Sequence, residues 1–581
     1  MYVLNIQNLT ISSSQVATRI QNLGSGLIAK GYSDSQETAV GIYGKNSPDW
    51  NIVMQTCNHY SMRLVPLYDT LGPKAMNYVL TSCALKVVVV DNALLHNILK
   101  WVNQGSNIET IIANGPSIPE EHAERAVELG IELITMAEVE KLGSHNSAPP
   151  NPPKSEDVAL ICYTSGTTGI PKGAIITHGN IAACCMGLTD NFRGFTLDHN
   201  DVLMSYLPLA HVYEFAVECF FSYLGASVGY SQGDVKLLLD DIAALQPTLF
   251  PSVPRVLNKV YDRVVDGIQK KGAVVKMLYN MGLASKLAEV ERNIFRTNSI
   301  WDAIVFKKVQ ALFGKRLRLL ISGSAPCRGD ILQWYRAVLG VYVMEGFGQT
   351  EMSGVATMSV CGDHTTGHIG LTLPGLEAKL VDVPEKNAFV SENKGEICFK
   401  GATVFRGYHN DPEKTAETVD SEGWLHTGDI GTWTDHGCLS IIDRKKNVFK
   451  LAQGEYIAPD KIESVYERCS IVNQCFIYGD SLKSSLVGLV VPSDIAIEAM
   501  YEGMTVEEFV TKPDSAGFIM QTIQTLGQNE LKSFEQVRHV KLVAAPFSVE
   551  NDMLTPTFKK RRQAIADTYK DLLEEMLEGM G

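Results

Sequence analysis

The sequence runs to 581 residues, too long for one hydrophobic core and enough for two to four structural units. Its hydrophobic fraction of 45% and charged fraction of 20% are those of a globular enzyme, and no run of about eighteen apolar residues offers a membrane-spanning helix. A net charge of −14 excludes nucleic acid over a broad surface, because such a chain repels a polyphosphate backbone.

Met1 to Asn5 lacks the basic start and apolar block of a signal peptide, so the sequon at Asn8-Leu9-Thr10 reads as chance. Val16, Ile20, Leu23 and Leu27 then mark one face of a helix. Ala39 to Tyr43 reads as a buried strand, with Asn46-Ser47-Pro48 turning into a second helix. Val87 to Val90 and Thr110 to Ala113 are further strands, so the first part predicts parallel sheet with helical cover. Four prolines between Ser144 and Lys154 mark a boundary. Val158 to Tyr163 opens a second α/β stretch, residues 255–310 read as mostly helical, and Arg316 to Ser322 returns to strand. After about residue 375 the pattern shortens into strands and glycine turns, and from Lys446 a compact mixed unit follows. The expected fold class is α/β. It comprises a large N-terminal region, 1–445, of two parallel α/β subdomains (1–150 and 151–374) and a small β unit (375–445). A small mobile α+β C-terminal domain, 446–581, completes it. The twelve cysteines form no CxxC pair, which argues against a zinc site or disulfide framework and for a reducing compartment.

The most informative stretch is Tyr163-Thr164-Ser165-Gly166-Thr167-Thr168-Gly169-Ile170-Pro171-Lys172-Gly173. It follows a strand, its glycines admit a close ligand, its hydroxyls and N–H groups can donate to phosphate oxygens, and Lys172 adds charge. The bland alternative is a surface loop of small residues. The pattern is not that of a P-loop NTPase, since GxxxxGK[ST] is absent.

This stretch resembles the phosphate-loop signature of the adenylate-forming superfamily, which includes acyl-CoA synthetases, firefly luciferase and peptide-synthetase adenylation domains. Further motifs follow in that superfamily's order: Leu207-Pro208-Leu209-Ala210-His211, Ser322-Gly323-Ser324-Ala325-Pro326, Gly346-Phe347-Gly348-Gln349-Thr350-Glu351, Gly423 to Asp429, Asp443-Arg444-Lys445-Lys446, and Leu554 to Lys559. The match is closest to eukaryotic long-chain acyl-CoA synthetases, through Val65 to Gly72, Asp443 to Pro459 and Leu554 to Lys559.

The resemblance implies ATP-dependent conversion of a long-chain fatty acid to acyl-CoA through an acyl-adenylate, with ATP, Mg²⁺ and coenzyme A. The phosphate loop (Thr164, Ser165, Gly166, Thr167, Thr168, Gly169, Lys172) and Ser324, Ala325 and Pro326 would hold the nucleotide. Glu351, with Thr167, would hold Mg²⁺, a hard cation suited to such oxygens. Thr350 would donate to the α-phosphate beside Gly348, Phe347 would stack on adenine, and Asp429 would take both ribose hydroxyls with Arg444 on the same side. Phe347 stands where the family usually has tyrosine. His211 resembles the histidine beside the acyl pocket, and Glu214 is followed by Phe215 where family members generally have arginine. Lys559 would bridge the fatty carboxylate and the α-phosphate, Lys446 would be the hinge, and Lys450 and Gly454 would face the thioester-forming site. Read alone, Glu351 is a surface acid, Asp429 a turn residue, and Lys559-Lys560-Arg561-Arg562 a solvated basic cluster or nuclear signal. A luciferase-like oxygenase, a peptide-synthetase domain and a lipid-binding scaffold without catalysis share parts of the pattern. Long-chain relatives usually carry an N-terminal anchor ahead of the first helix. The expectation here is a cytoplasmic protein, or one held peripherally at the cytosolic face of the endoplasmic reticulum or mitochondrial outer membrane. The early start would leave a sheet edge unpaired.

Overall fold

The structure is a computed structural model that describes residues 3–5, 9–68, 73–102, 107–164, 171–192, 194–452, 455–480, 483, 485–528, 530–555 and 558–578. The first helix, Ser13–Ala29, starts at a capping box: the Ser12 hydroxyl accepts from the Gln15 N–H, and Gln15 returns a bond to the Ser12 N–H. Val16, Leu23 and Leu27 are buried, as their spacing requires. The next helix, Pro48–His59, has Ser47 as its cap and proline in its first turn.

Two sheets carry the large region. In the first, strands run in the order 407–408, 172–177, 158–164, 63–67, 39–43, 87–91, 110–114 and 132–135, parallel from 158–164 onward. The strands 158–164 and 172–177 are an antiparallel pair that completes this sheet, so the sheets do not divide at residue 150. The second sheet has a parallel centre of strands 342–347, 319–322, 249–252, 202–205 and 227–230. Its far edge is not left bare: strand Val3–Asn5 pairs in parallel with Ser227–Tyr230, and Leu9–Ile11 returns antiparallel on its outside. The expectation of an unpaired edge is corrected, because the first eleven residues supply backbone partners that the sequence pattern did not reveal.

Strands 376–381, 395–401, 425–433 and 439–444 form a four-stranded antiparallel sheet. Beyond residue 446 lie a two-stranded sheet (449–450, 456–457) and a three-stranded sheet (472–478, 486–492, 537–542), with helices packed on the latter. The mixed α/β class with parallel sheets is as expected. Among the described residues no helix is long and apolar enough to cross a membrane.

One close approach anchors the N-terminal helix. A Cβ at Gly143 would lie 1.8 Å from the Asn22 carbonyl oxygen, and one at Gly26 would lie 2.1 Å from the Val139 carbonyl. Helices Ser13–Ala29 and Met136–His145 touch backbone to backbone there. Gly143→Ala must push the helices apart, and we expect a loss of about 1–3 kcal/mol, read as a lower urea midpoint. An unchanged midpoint would mean that this contact is not tight.

Candidate active site

The phosphate loop joins the antiparallel strands Val158–Thr164 and Lys172–Thr177, so it spans a hairpin; Thr164 and Lys172 face each other in register at its base. Ser165, Gly166, Thr167, Thr168 and Gly169 lie outside the described residues. The Lys172 ammonium stands 5.3 Å from the centre of the Tyr408 ring, and the Tyr408 hydroxyl donates to Glu351 Oε1 at 2.6 Å. Lys172 and Glu351, far apart in sequence, are thereby tied through one tyrosine.

Strand Tyr342–Phe347 runs into the turn that carries Thr350 and Glu351. Gly348 makes that turn possible, because a Cβ would sit 1.7 Å from the Gly354 carbonyl oxygen. Thr350 is buried, and Phe347 is buried against Phe399 with ring centres 6.3 Å apart. Gln349 donates to the Thr427 carbonyl at 2.9 Å and to Asp429 Oδ2 at 2.8 Å.

Asp429 and Arg444 are cross-strand partners, and Arg444 Nε donates to Asp429 Oδ1 at 2.8 Å. Burial pushes the Asp429 carboxyl up; the charges of Arg444 and Lys559 and the Gln349 bond pull it back. Glu396 braces the same corner. Its Oε1 accepts from the Gly428 N–H at 3.0 Å, while Oε2 lies 3.2 Å from His426 Nδ1 and 3.3 Å from Lys445 Nζ.

Lys559 reaches this corner from the C-terminal region. Burial depresses its ammonium to about 8, with Arg444 and Lys446 adding repulsion and Asp429 and Glu351 opposing. Lys446, on the turn after strand Leu439–Arg444, is depressed chiefly by desolvation, with Arg444 and Lys172 also repelling it. His211 caps helix Val212–Leu224, its Nδ1 accepting from the Tyr213 N–H at 3.2 Å. Burial, and then the charge of Lys559, push its imidazole down to about 3, so it is neutral at physiological pH. The structure therefore brings Lys172, Thr350, Glu351, Asp429, Arg444, Lys446, Lys559 and His211 to one cleft. Ser324 lies on the neighbouring turn in the left-handed region (φ +74°), followed by exposed Ala325 and Pro326. Lys450 stands over the Tyr456 ring at 5.3 Å on the hairpin 449–457, and Gly454 lies outside the described residues.

The basic run is not a solvated cluster. Lys560 pairs with Glu463 at 2.8 Å and Glu467 at 2.7 Å, Arg562 with Asp460 and Glu463 at 2.9 Å each, and Arg561 with Asp552. The sequence concealed this because the acids that hold Lys560 and Arg562 come from a helix and its C-cap about a hundred residues earlier.

Three features escaped the sequence reading. Phe558, just before Lys559, takes the left-handed conformation (φ +62°), which a bulky side chain adopts only under constraint. The Arg255 guanidinium lies 4.9 Å from the centre of its ring, and the ring packs against both the large core and a C-terminal cluster. Tyr408 is the third. Arg255 and Tyr408 lie outside the motifs, while Phe558 lies within the Leu554 to Lys559 segment, whose residue types do not reveal its backbone conformation.

Two other groupings of acid, thiol and imidazole are not metal centres. At Glu396, Cys398 and His426 the Lys445 ammonium already supplies the cation. At Asp363, His368 and Cys438 the Gly370 N–H donates to His368 Nδ1 at 3.0 Å, so Nε2 carries the proton and offers no lone pair.

On the helix that His211 caps, Glu214 and Glu218 are wholly buried one turn apart. Phe215 turns into the core, edge-on to Trp50 at 6.4 Å, and supplies no cation. Burial, and then the Glu218 charge, hold the Glu214 carboxyl well above the usual range; Glu218 is pushed up to about 7, mainly by burial. A folded-state pKa above the unfolded one favours the fold below the unfolded value, and that stability is lost as pH rises through the folded value. Glu214→Gln should therefore match the parent near pH 5 and exceed it at pH 8 in urea unfolding. Equal pH dependence of the two would show that Glu214 is not held protonated.

A cluster of cations around a buried aspartate, where parallel α/β sheets meet the C-terminal unit, is suited to holding an anion. The AMP-binding enzyme family model matches residues 3–409, and the chain belongs to that family. Within it, the chain belongs with the long-chain-fatty-acid–CoA ligases. It is 42% identical to long-chain-fatty-acid–CoA ligase 5 of Rattus norvegicus over 98% of this chain and 84% of that protein. It is likewise 42% identical to long-chain-fatty-acid–CoA ligase 1 of Homo sapiens over 97% and 82%. Among solved structures, the adenylation domain of a carboxylate reductase from Mycobacterium chelonae superposes with a TM-score of 0.79 at 26% identity, covering 98% of this chain and 84% of that one. The A domain of the Segniliparus rugosus carboxylic acid reductase, in complex with AMP and a co-purified carboxylic acid, shares the fold (TM-score 0.80, 23% identity, 99% and 88% covered).

Proposed function

We propose that this chain activates long-chain fatty acids to acyl-CoA. The fatty carboxylate attacks the α-phosphorus of ATP, the bond to pyrophosphate breaks, and an acyl-adenylate forms. The thiol of coenzyme A then attacks the acyl carbon and AMP leaves. The observation that carries this reading is the arrival of Lys559 beside Asp429, Arg444 and Glu351. Carboxylate and triphosphate repel each other by about 4 kcal/mol per like-charge pair at 4 Å in a partly polar medium, and convergent cations offset that.

In this reading Asp429, held by Gln349 and Arg444, takes the ribose, Phe347 stacks on the base, and Thr350 donates to the α-phosphate. The phosphate loop with Lys172, and the Ser324-Ala325-Pro326 turn, complete the nucleotide site. Glu351 fits Mg²⁺ by its hard oxygens, with Thr167 as the second ligand; the ion would neutralise phosphate charge. Neutral His211 sits beside the acyl group. Residues 1–445 form the adenylating domain, and 446–581 turn about Lys446 to bring Lys450 and Gly454 to the thioester step. Fatty acid, ATP and coenzyme A are the partners, without nucleic acid. The protein works in the cytoplasm, in peripheral contact with the endoplasmic reticulum or mitochondrial outer membrane.

Fatty-acid-dependent pyrophosphate release, with and without coenzyme A, tests the reaction; preference for acetate or an amino acid overturns the substrate. Lys559→Ala should cut pyrophosphate release by about 10²–10³ yet still convert synthetic acyl-adenylate to acyl-CoA. Lys446→Pro should do the reverse and accumulate acyl-AMP, since fixed φ and a missing N–H hinder rotation. Equal loss of both half-reactions in both variants contradicts the alternation.

The protonated form of Lys559 is the useful one. Because its ammonium titrates at about 8, kcat/KM for pyrophosphate release should fall as pH rises through that value. The fall should be absent from Lys559→Arg, whatever its absolute rate. A profile flat to pH 10 in the parent removes Lys559 from the chemistry.

Arg255→Ala frees the Phe558 ring, and should lower pyrophosphate release while leaving thioester formation from acyl-adenylate intact. Loss of both steps would mean that Arg255 serves only folding.

A further inference from the structure

Helix Ala273–Val290 has two apolar faces. The inner one is fixed: Tyr279, Gly282, Lys286 and Val290 are buried, Trp334 Nε1 donates to the Tyr279 hydroxyl at 2.7 Å, and Lys286 Nζ reaches Asp302 at 3.2 Å. The outer one is uncovered among the described residues. Val274, Met277, Met281, Ala284 and Ala288 repeat at spacings of three and four, and all five are exposed. Val274, Met277 and Met281 keep between 52% and 66% of their surface in solvent. A surface helix of this kind normally turns charged residues outward. The adjoining turn Asp302–Phe306, which the buried Lys286–Asp302 pair ties to this helix, adds Ile304, and Ile300 lies just before it; they are exposed at 61% and 68%.

The charge around this surface runs against the rest of the molecule. Residues 255–316 hold thirteen lysines and arginines and five acids, a net +8 in a chain of −14. Three of the acids are already paired locally, in Lys270–Asp266, Lys286–Asp302 and Arg296–Glu289. Lys271 and Lys276 flank the start of the stripe, and Lys307 and Lys308 follow Ile304. Apolar side chains bordered by lysines match an anionic lipid surface, where methionine and valine enter the acyl boundary and ammonium groups meet phosphates. A second copy of this chain is the poorer occupant, because a two-fold interface would press the same lysine-bordered face against itself.

We propose that the outer face of helix Ala273–Val290, with Ile300 and Ile304, docks this protein on anionic membrane surfaces. Helix Pro254–Gln269 leads from the cleft, where Arg255 meets Phe558, directly to this face. Its use, drawing fatty acid from the bilayer in which that substrate dissolves, rests on the function proposed above; the docking itself does not.

The experiment is flotation of the full-length chain with vesicles of phosphatidylcholine containing one-third phosphatidylserine, without substrate. Binding is expected with these vesicles, weaker with pure phosphatidylcholine, and reduced at 0.5 M salt, where charge attraction is screened. Met277→Glu/Met281→Glu should lower the bound fraction about tenfold, and Lys271→Glu/Lys276→Glu should remove the preference for phosphatidylserine. Pyrophosphate release on a water-soluble medium-chain acid should be unchanged in both variants. Failure of the parent to float, or undiminished binding by the methionine variant, overturns the proposal. So does a concentration-dependent dimer that the methionine variant abolishes, since the face would then belong to a second copy. A chain that floats as expected but releases no pyrophosphate would overturn the proposed activity and leave the docking surface intact.

Discussion

Lys559, Arg444, Lys446 and Lys172 are held close enough to raise the cost of one another's charge, and much of the structure exists to tolerate that repulsion. Left to itself, such a group would spread apart or lose protons. Asp429 and Glu351 supply the compensating charge, each held in turn by a neutral donor, Gln349 or Tyr408. Buried Asp429 is costly unless Arg444 stays beside it, and Arg444 stays because the two are register partners in adjacent strands. An arrangement of this kind is strained without an anion and relaxed with one, which suits a cleft built for a triphosphate and a carboxylate.

Lys559 is the member that comes from the C-terminal region. The loop before it is bent through a left-handed Phe558, a conformation costing about 1–3 kcal/mol in a non-glycine residue. The ring's contacts with Arg255 and with the large core offset that cost. Behind the loop, Lys560 and Arg562 are fixed by Glu463, Glu467 and Asp460, all within the C-terminal region. The residues after Lys559 are therefore held within the C-terminal region, while Phe558 before it packs on Arg255 and the large core. Asp443 is a further link across the joint, accepting from the Asp460 N–H at 3.0 Å and lifted to about 8 by burial and by the Asp460 charge.

Neutral groups are kept neutral with equal care. His211, buried beside a cation, has no reason to take up a second charge, and Glu214 and Glu218 on the helix it caps retain protons well above the usual carboxylate range. Helix Ala273–Val290, by contrast, leaves an apolar stripe open among lysines.

The α/β class, the buried strands Ala39–Tyr43, Val87–Asp91 and Val158–Thr164, and the chain order of the motifs were all legible in the sequence. Each is local: a strand buried on both faces reads as an unbroken apolar run, and a phosphate loop carries its donors within a dozen residues. The pairing of Asp429 with Arg444 was half legible, since the two lie in neighbouring motifs, although register alone makes them touch. Tyr408 between Lys172 and Glu351, Arg255 over Phe558, and the acids that hold Lys560 and Arg562 were not legible. Their partners are about sixty to three hundred residues apart, and no periodicity or spacing encodes such a distance. The N-terminal hairpin closed a sheet edge for the same reason, because its partner strand lies more than two hundred residues downstream. The sequence by itself determined which chemical groups are present and which short segments are strand or helix, because those depend on near neighbours. Only the tertiary structure decided which charges share a cleft and what each must lose to be there, because burial and Coulomb energy depend on distance in space.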